Sequence, residues 1–188
     1  MNNHYQSLVA QTLHELELVL GSIEEFSMTA LLQALQDAER IFIVGKGRSG
    51  LQMRAFAMRL MHLGLVTFVV DDVTTPSITA GDLLLIGSGS GQTPSLVGYA
   101  LQAKREGTKL AVITADQTSP VALQADVLLL LPAPTPKAKG RTTPPSIHPM
   151  GTLFEQSLGL FNDLLILLLM DKLGMDADEM FTRHANLE

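Results

Sequence analysis

The sequence contains no cysteine, which excludes disulfides, thiolate metal ligands and cysteine nucleophiles. Charged residues are also scarce: they make up 17% of the 188 residues, the net charge is −6, and Lys and Arg form no block. Nucleic acid and anionic membranes are therefore not expected as partners. The histidines show no ligand spacing such as H-E-x-x-H, so the sequence predicts no metal site.

Long apolar runs are missing as well. The most apolar segment, residues 164–170, is only seven residues long, whereas a membrane span needs about 20. Residues 1–20 lack the basic start and the apolar block of a signal peptide. We therefore expect a cytoplasmic protein without membrane contact, in which residues 164–170 belong to a buried helix.

Hydrophobic residues, in contrast, make up 46% of the chain, and burial between subunits is the simplest way to cover so much apolar surface. The length predicts a single domain over residues 1–188. Apolar positions at helical spacing predict helices within residues 1–38, which would pack on the core and at a subunit interface.

Short apolar runs alternate with helical segments along the rest of the chain. Such runs are typical of strands that are covered on both faces of a parallel sheet, and they lie at 41–44, 66–70, 83–86, 110–113 and 127–131. The helical segments lie at 49–63, 93–106, 119–125 and 152–173. This alternation predicts an α/β fold, a three-layer αβα sandwich of the doubly wound, flavodoxin-like kind.

Two segments near the end of the chain carry further predictions. Residues 132–149, which are rich in proline and basic residues, are expected to form an exposed loop. The helix at 152–173 is apolar nearly all round, so most of its sides must be buried. We expect it to form a subunit interface with the N-terminal helices; the alternative is a central helix within a monomer.

A glycine-rich segment, GKGRSG, follows the first predicted strand. Gly45, Gly47 and Gly50 fit G-x-G-x-x-G, and Asp71 and Asp72 come roughly 20 residues later, where a dinucleotide-binding fold has its ribose acid. The motif alone is weak, because many strand-to-helix turns are rich in glycine for steric reasons only.

A second such segment, GSGSGQT, follows the third predicted strand and adds the hydroxyl groups of Ser88, Ser90 and Thr93. Glycine lets the backbone approach an anion, and the first amides of the next helix point at it. Ser90 could instead be only a helix N-cap. Since a nucleotide fold has no need of this second loop, a small phosphorylated ligand fits better than a nicotinamide cofactor.

Several segments together resemble the sugar isomerase (SIS) domain family, and within it the branch that acts on 3-hexulose 6-phosphates. The resemblance runs from about residue 41 to the end of the chain and rests on GKGRSG, FAMRLMHLG, TTPSI, GDLLLIGSGSGQT, ITADQTSPVALQADVLLLLP, PMGTLFEQS and RHANLE. It implies a five-stranded parallel sheet and the interconversion of D-arabino-hex-3-ulose 6-phosphate and D-fructose 6-phosphate through an enediol, without an organic cofactor. It also implies a homotetramer with active sites shared between subunits, and 3-hexulose-6-phosphate synthase as a candidate pathway partner.

The candidate substrate-binding residues lie in the two glycine loops: Gly47, Arg48, Ser49, Ser88, Gly89, Ser90 and Thr93. Of these, Arg48 could meet a phosphate or a hydroxyl group, or point to solvent. Two positions depart from the family pattern. Gln92 stands where glutamate is usual, and Lys46 where a small residue is usual.

Glu155 and His184 are the catalytic candidates. Glu155 lies one turn into an apolar helix, a setting of low polarity that would suit a general base. The residues alone favour a capping box, with Glu155 three positions after Thr152, whereas the resemblance favours catalysis. His184 could stabilise the end of a terminal helix; the resemblance implies that it assists the reaction, which requires the terminal segment to pack across a neighbouring subunit.

Three other functions stay open at this stage. One is an arabinose 5-phosphate isomerase of the same family. Another is a module that binds phosphosugars without catalysis, and the third is a nucleotide-dependent oxidoreductase.

Overall fold

The computed structural model describes residues 2–136 and 145–187. Part of the predicted exposed loop, residues 137–144, lies outside the described residues. The strands are β1 (Ile41–Gly45), β2 (Thr67–Val69), β3 (Leu83–Gly87), β4 (Lys109–Thr114) and β5 (Val127–Leu130). The α-helices are α1 (Asn2–Gly21), α2 (Glu25–Asp37), α3 (Gly47–His62), α4 (Pro94–Arg105), α5 (Thr152–Leu173) and α6 (Ala177–Phe181).

The five strands form one parallel sheet in the order β2-β1-β3-β4-β5. Side chains of a strand alternate between the two faces of a sheet. In β1, Ile41 and Ile43 accordingly join the core on one face, while Phe42 and Val44 join the core on the other. Because both faces are covered, the strands read as continuous apolar runs, and the predicted αβα sandwich is confirmed.

The two faces carry different layers. Helices α1, α2, α3 and α5 lie on one side, where Leu35, Phe56, Phe161 and Leu165 are fully or almost fully buried. Helix α4 covers the other side through Leu96, Ala100 and Ala103. Both N-terminal helices thus pack on the core.

Helix α5 has a buried side and an exposed stripe. Phe154, Leu158 and Leu165 are buried, whereas Leu160 and Leu164 are exposed at 44% and 45%. By length and composition α5 could cross a membrane, with a mean hydropathy of 1.5, but half of that stretch is buried inside the protein. The core helix of a globular protein has the same properties.

Two elements are shorter than predicted. β2 has only three residues, all half-buried, because it is an edge strand with a single neighbour. The segment predicted as a helix at 119–125 forms only a short 3-10 turn, Ala122–Gln124. Its first residues are instead held by a local turn, in which the Ser119 hydroxyl donates to the carbonyl of Asp116 at 2.7 Å.

Candidate active site

A cleft with a volume of ≈ 290 Å³ opens where β1 and β3 end. Ligands of open parallel sheets bind at this edge. Its walls come from the two glycine loops, from the segment after β5 and from the start of α5. The lining residues are Lys46, Ser49, Ser88, Gly89, Ser90, Thr93, Thr135, Pro136, Met150, Gly151, Phe154 and Glu155.

The glycines of the first loop have steric roles. A Cβ on Gly50 would lie 2.7 Å from the carbonyl oxygen of Gly45, and one on Gly45 would lie 3.0 Å from Gly50 and from the carbonyl of Gly87. Gly47 begins α3 with a φ of +58°, a conformation that favours glycine. These positions let α3 start directly against β1, which brings Ser49 to the cleft; Gly47 itself does not line it.

The acidic pair after β2 is engaged with cations. Asp71 accepts from Lys46 Nζ at 2.6 Å and from the Tyr99 hydroxyl at 2.8 Å, and Asp72 accepts from Arg54 at 2.9 Å. The hydrogen bond from Lys46, followed by that from Tyr99, lowers the pKa of Asp71. A ribose would have to compete with these bonds, which argues against the dinucleotide interpretation of the first loop.

The second loop is shaped by its own hydroxyls. The Ser88 hydroxyl accepts from the amide of Gly91 at 3.1 Å, and the Ser90 hydroxyl accepts from the amide of Gln92 at 3.3 Å. A hydroxyl that accepts still has its proton to donate. Both serines can therefore hold the turn and donate to a ligand in the cleft at the same time.

The start of α4 differs from one alternative prediction. The N-cap position belongs to Thr93, whose side chain makes no capping bond, and not to Ser90. The interpretation of Ser90 as a plain N-cap was therefore wrong. Gln92 is exposed and does not line the cleft, so its departure from the family pattern leaves the composition of the walls unchanged.

Glu155 faces the cleft from the first turn of α5 and is paired with a residue of the first loop. Its Oε2 lies 2.6 Å from Nε of Arg48, and its side chain is 18% exposed. The predicted capping box is wrong, because Gly151 is the N-cap and no side chain caps the helix. Thr152 already lies inside the helix and cannot act as the N-cap of a capping box. The Glu155 side chain pairs with Arg48 instead.

The wall before α5 is anchored to the N-terminal helix. Glu15 of α1 accepts from the Ser146 hydroxyl at 2.5 Å and from the amide of Ile147 at 2.9 Å. These bonds place the segment that leads to Met150, a cleft residue with a φ of 58°. No sequence pattern links Glu15 to residues 131 positions away.

His184 does not reach this cleft within one chain. Its ring stacks on that of His62 at 5.4 Å and on Phe181 at 5.6 Å. His62 ends α3, a helix of 16 residues and so roughly 24 Å long, whose other end carries Ser49 and Arg48. A role for His184 at a cleft thus requires another subunit.

Sequence reasoning assigned no site role to six of the lining residues, namely Lys46, Thr135, Pro136, Met150, Gly151 and Phe154. Met150 and Gly151 directly precede the first turn of α5. They therefore lie beside Glu155, which faces the cleft from that turn. Thr135 is brought in by its contact with Gly89, where an added Cβ would lie 3.1 Å from Thr135 Cγ2. Among the described residues, no group of three or more His, Asp and Glu side chains could hold a metal ion.

A parallel αβα sandwich with a hydroxyl-rich cleft at the ends of β1 and β3 is the architecture of an α/β domain that can bind a small anionic ligand. Residues 34–157 match the SIS domain model, and the chain belongs to this family.

Relatives with assigned activities cover almost the whole chain. It is 43% identical to the 3-hexulose-6-phosphate isomerase of Bacillus subtilis, over 96% of this chain and 97% of the relative. It is 39% identical to the enzyme of the same name from Methylomonas aminofaciens, over 99% of both chains. A protein of Methanococcus jannaschii, whose crystal structure led to an inferred 3-hexulose-6-phosphate isomerase function, superimposes with a TM-score of 0.84 and 34% identity, over 97% of this chain and 99% of that one.

Proposed function

We propose that this chain is a phosphosugar isomerase that interconverts D-arabino-hex-3-ulose 6-phosphate and D-fructose 6-phosphate. The observation that carries the proposal is that Ser88, Ser90 and Glu155 line the same ligand-sized cleft. The high identity to isomerases of this name over nearly the full chain supports the substrate.

The chemistry requires an anchor and a proton carrier. Moving the carbonyl from C3 to C2 removes the proton on C2 and adds one to O3, which gives a 2,3-enediol. Loss of the proton on O2 and return of a proton to C3 then complete the isomerisation. The two loops would hold the 6-phosphate through amides and hydroxyls, which fixes the reacting carbons at a distance from the anchor. Glu155 would take the proton from C2 and deliver it to C3. No electron leaves the sugar, so the net reaction needs no redox cofactor.

The Arg48–Glu155 ion pair fits this scheme. Arg48 keeps the carboxylate oriented toward the cleft, and the Arg48 side chain is 61% exposed, so a ligand can approach it. An arginine at this point can also donate to the enediolate oxygens as charge develops. Arg48 is therefore proposed to bind the reacting end of the substrate and not the phosphate.

The direct test supplies purified protein with enzymatically prepared D-arabino-hex-3-ulose 6-phosphate and follows the appearance of fructose 6-phosphate. We expect rapid turnover with this substrate and none with arabinose 5-phosphate. Turnover of arabinose 5-phosphate alone would favour the aldose–ketose isomerase instead. Binding of both sugars without turnover would favour a non-catalytic module.

The active sites are proposed to be shared in a homotetramer. Exposed apolar side chains lie along α1, α3 and α5, among them Tyr5, Leu13, Leu51, Leu160 and Leu164, and a large exposed apolar surface marks an interaction site. Association through these helices would cover it and could bring His184 of one subunit to the cleft of another. Cytoplasmic location and 3-hexulose-6-phosphate synthase as pathway partner stay predictions.

Subunit mixing tests the shared site. Glu155→Gln and His184→Ala proteins should each be nearly inactive, and mixed subunits should regain activity because some clefts then combine an intact Glu155 with an intact His184. A His184→Ala protein with full activity, or a mixture that stays as inactive as its components, would contradict the shared site. Light scattering would report the assembly of each protein independently.

A further inference from the structure

We propose that Lys46 is a further substrate-binding residue, whose ammonium group contacts the phosphoryl oxygens of the sugar phosphate bound between the two glycine loops. This inference rests on the proposed function, because it assigns one more contact in the same cleft. Lys46 forms the N-cap position of α3 and lines the cleft together with Ser49, Ser88 and Ser90.

The charges around the cleft support this role. Among the described lining residues, Lys46 is the one cation and Glu155 the one anion, and Arg48 already balances Glu155. A phosphate monoester carries close to two negative charges at neutral pH. Serine hydroxyls and backbone amides supply only partial charges. Lys46 is the residue of the lining that can bring a formal positive charge to the phosphate anchor, although it shares this charge with Asp71.

The position of the ammonium group is set from outside the cleft. Lys46 Nζ donates to Asp71 at 2.6 Å and lies 5.7 Å from the centre of the Tyr99 ring, while the Tyr99 hydroxyl donates to the other oxygen of Asp71. The hydrogen bond to Asp71 raises the pKa of Lys46, which keeps it charged. Asp71 and Tyr99, which do not line the cleft, thus act as positioning residues for the ammonium group of a residue that does.

This anchoring leaves Lys46 able to bind a ligand. An ammonium group has three N–H donors, and Asp71 is the only acceptor for them that the described residues provide. The side chain is 38% exposed, so it is not enclosed on the side of the solvent. A phosphoryl oxygen can therefore join Lys46 while the bond to Asp71 stays intact.

Calorimetric titration with fructose 6-phosphate and with inorganic phosphate tests the proposal without relying on turnover. We expect Lys46→Met to weaken the binding of both ligands by about tenfold or more, as for the loss of a hydrogen bond to a charged group, and to raise KM with little change in kcat. Lys46→Arg should keep most of the affinity. Arg54→Met is the matched control, since Arg54 pairs with the adjacent Asp72 at 2.9 Å but does not line this cleft.

A double variant separates the loss of the cation from the exposure of its partner. Lys46→Met leaves the negative charge of Asp71 without its cation, close to the bound phosphate. Lys46→Met with Asp71→Asn removes both charges. The proposal predicts that the double variant still binds phosphate weakly. Affinity restored to the wild-type value, or a Lys46→Met protein that behaves like Arg54→Met, would overturn it. Failure of the proposed function would look different: the wild-type protein would bind the sugar phosphate but not isomerise it.

Discussion

Glu155→Gln is expected to lower kcat by about a thousandfold, the typical contribution of a positioned general base. The amide keeps the shape of the side chain and can still contact Arg48, but it cannot accept a proton from carbon. Because the phosphate anchor lies in the two glycine loops, the affinity for fructose 6-phosphate should change by less than about threefold. Coupled turnover assays and calorimetry give the two quantities separately.

Exchange with solvent provides a second readout for the same variant. In D₂O, the enediol mechanism incorporates deuterium at C3 of fructose 6-phosphate whenever the proton on Glu155 exchanges before it returns. The Gln variant should abolish this incorporation, which proton NMR detects directly. Arg48→Met serves as the comparison: if Glu155 only held Arg48 in place, the two variants would lose kcat equally and the assignment of Glu155 as base would fail.

Gly50→Ala is expected to destabilise the fold by about 3 kcal/mol, the upper range for overpacking of a close-packed site. The new Cβ would lie 2.7 Å from the carbonyl oxygen of Gly45, and backbone atoms of a central strand cannot rotate away as a side chain could. For a chain of this size the loss corresponds to a fall in Tm of roughly 10 °C. Thermal unfolding at one fixed protein concentration measures it.

Gly98→Ala is the matched control for this prediction. Gly98 is also a helical glycine, but an added Cβ there meets nothing within 4 Å. Alanine should stabilise α4 by about 0.5–1 kcal/mol through its higher helix propensity. Equal effects of the two substitutions would show that the contact between Gly45 and Gly50 does not constrain the start of α3.

The fold was predictable because its determinants are local. Each central strand is buried on both faces, so a short apolar run identified it, and helical periodicity identified the segments between. The errors lie where tertiary position overrides such patterns. The edge strand β2 is shorter than its apolar run because it has one neighbour, and the turn at Ser119 prevents a regular helix before β5.

The site was predictable only in part. Ser88, Ser90 and Thr93 lie within six residues of the chain, so a single motif was enough to infer that they line the same cleft. The pairing of Arg48 with Glu155 and of Lys46 with Asp71 depends on how separate elements meet at the edge of the sheet. The same holds for Glu15 and Ser146. Spacing along the chain carries no information about such contacts. The spacing of Thr152 and Glu155 therefore suggested a capping box, and the contact of Glu155 with Arg48 could not be inferred.

A crystal structure with bound fructose 6-phosphate would test the central claim most directly. We predict that the phosphoryl oxygens lie within hydrogen-bonding distance of the Ser88–Thr93 turn, with C2 and C3 of the sugar facing the carboxylate of Glu155. Phosphate density elsewhere on the molecule, or a sugar whose C2 and C3 point away from Glu155, would contradict it.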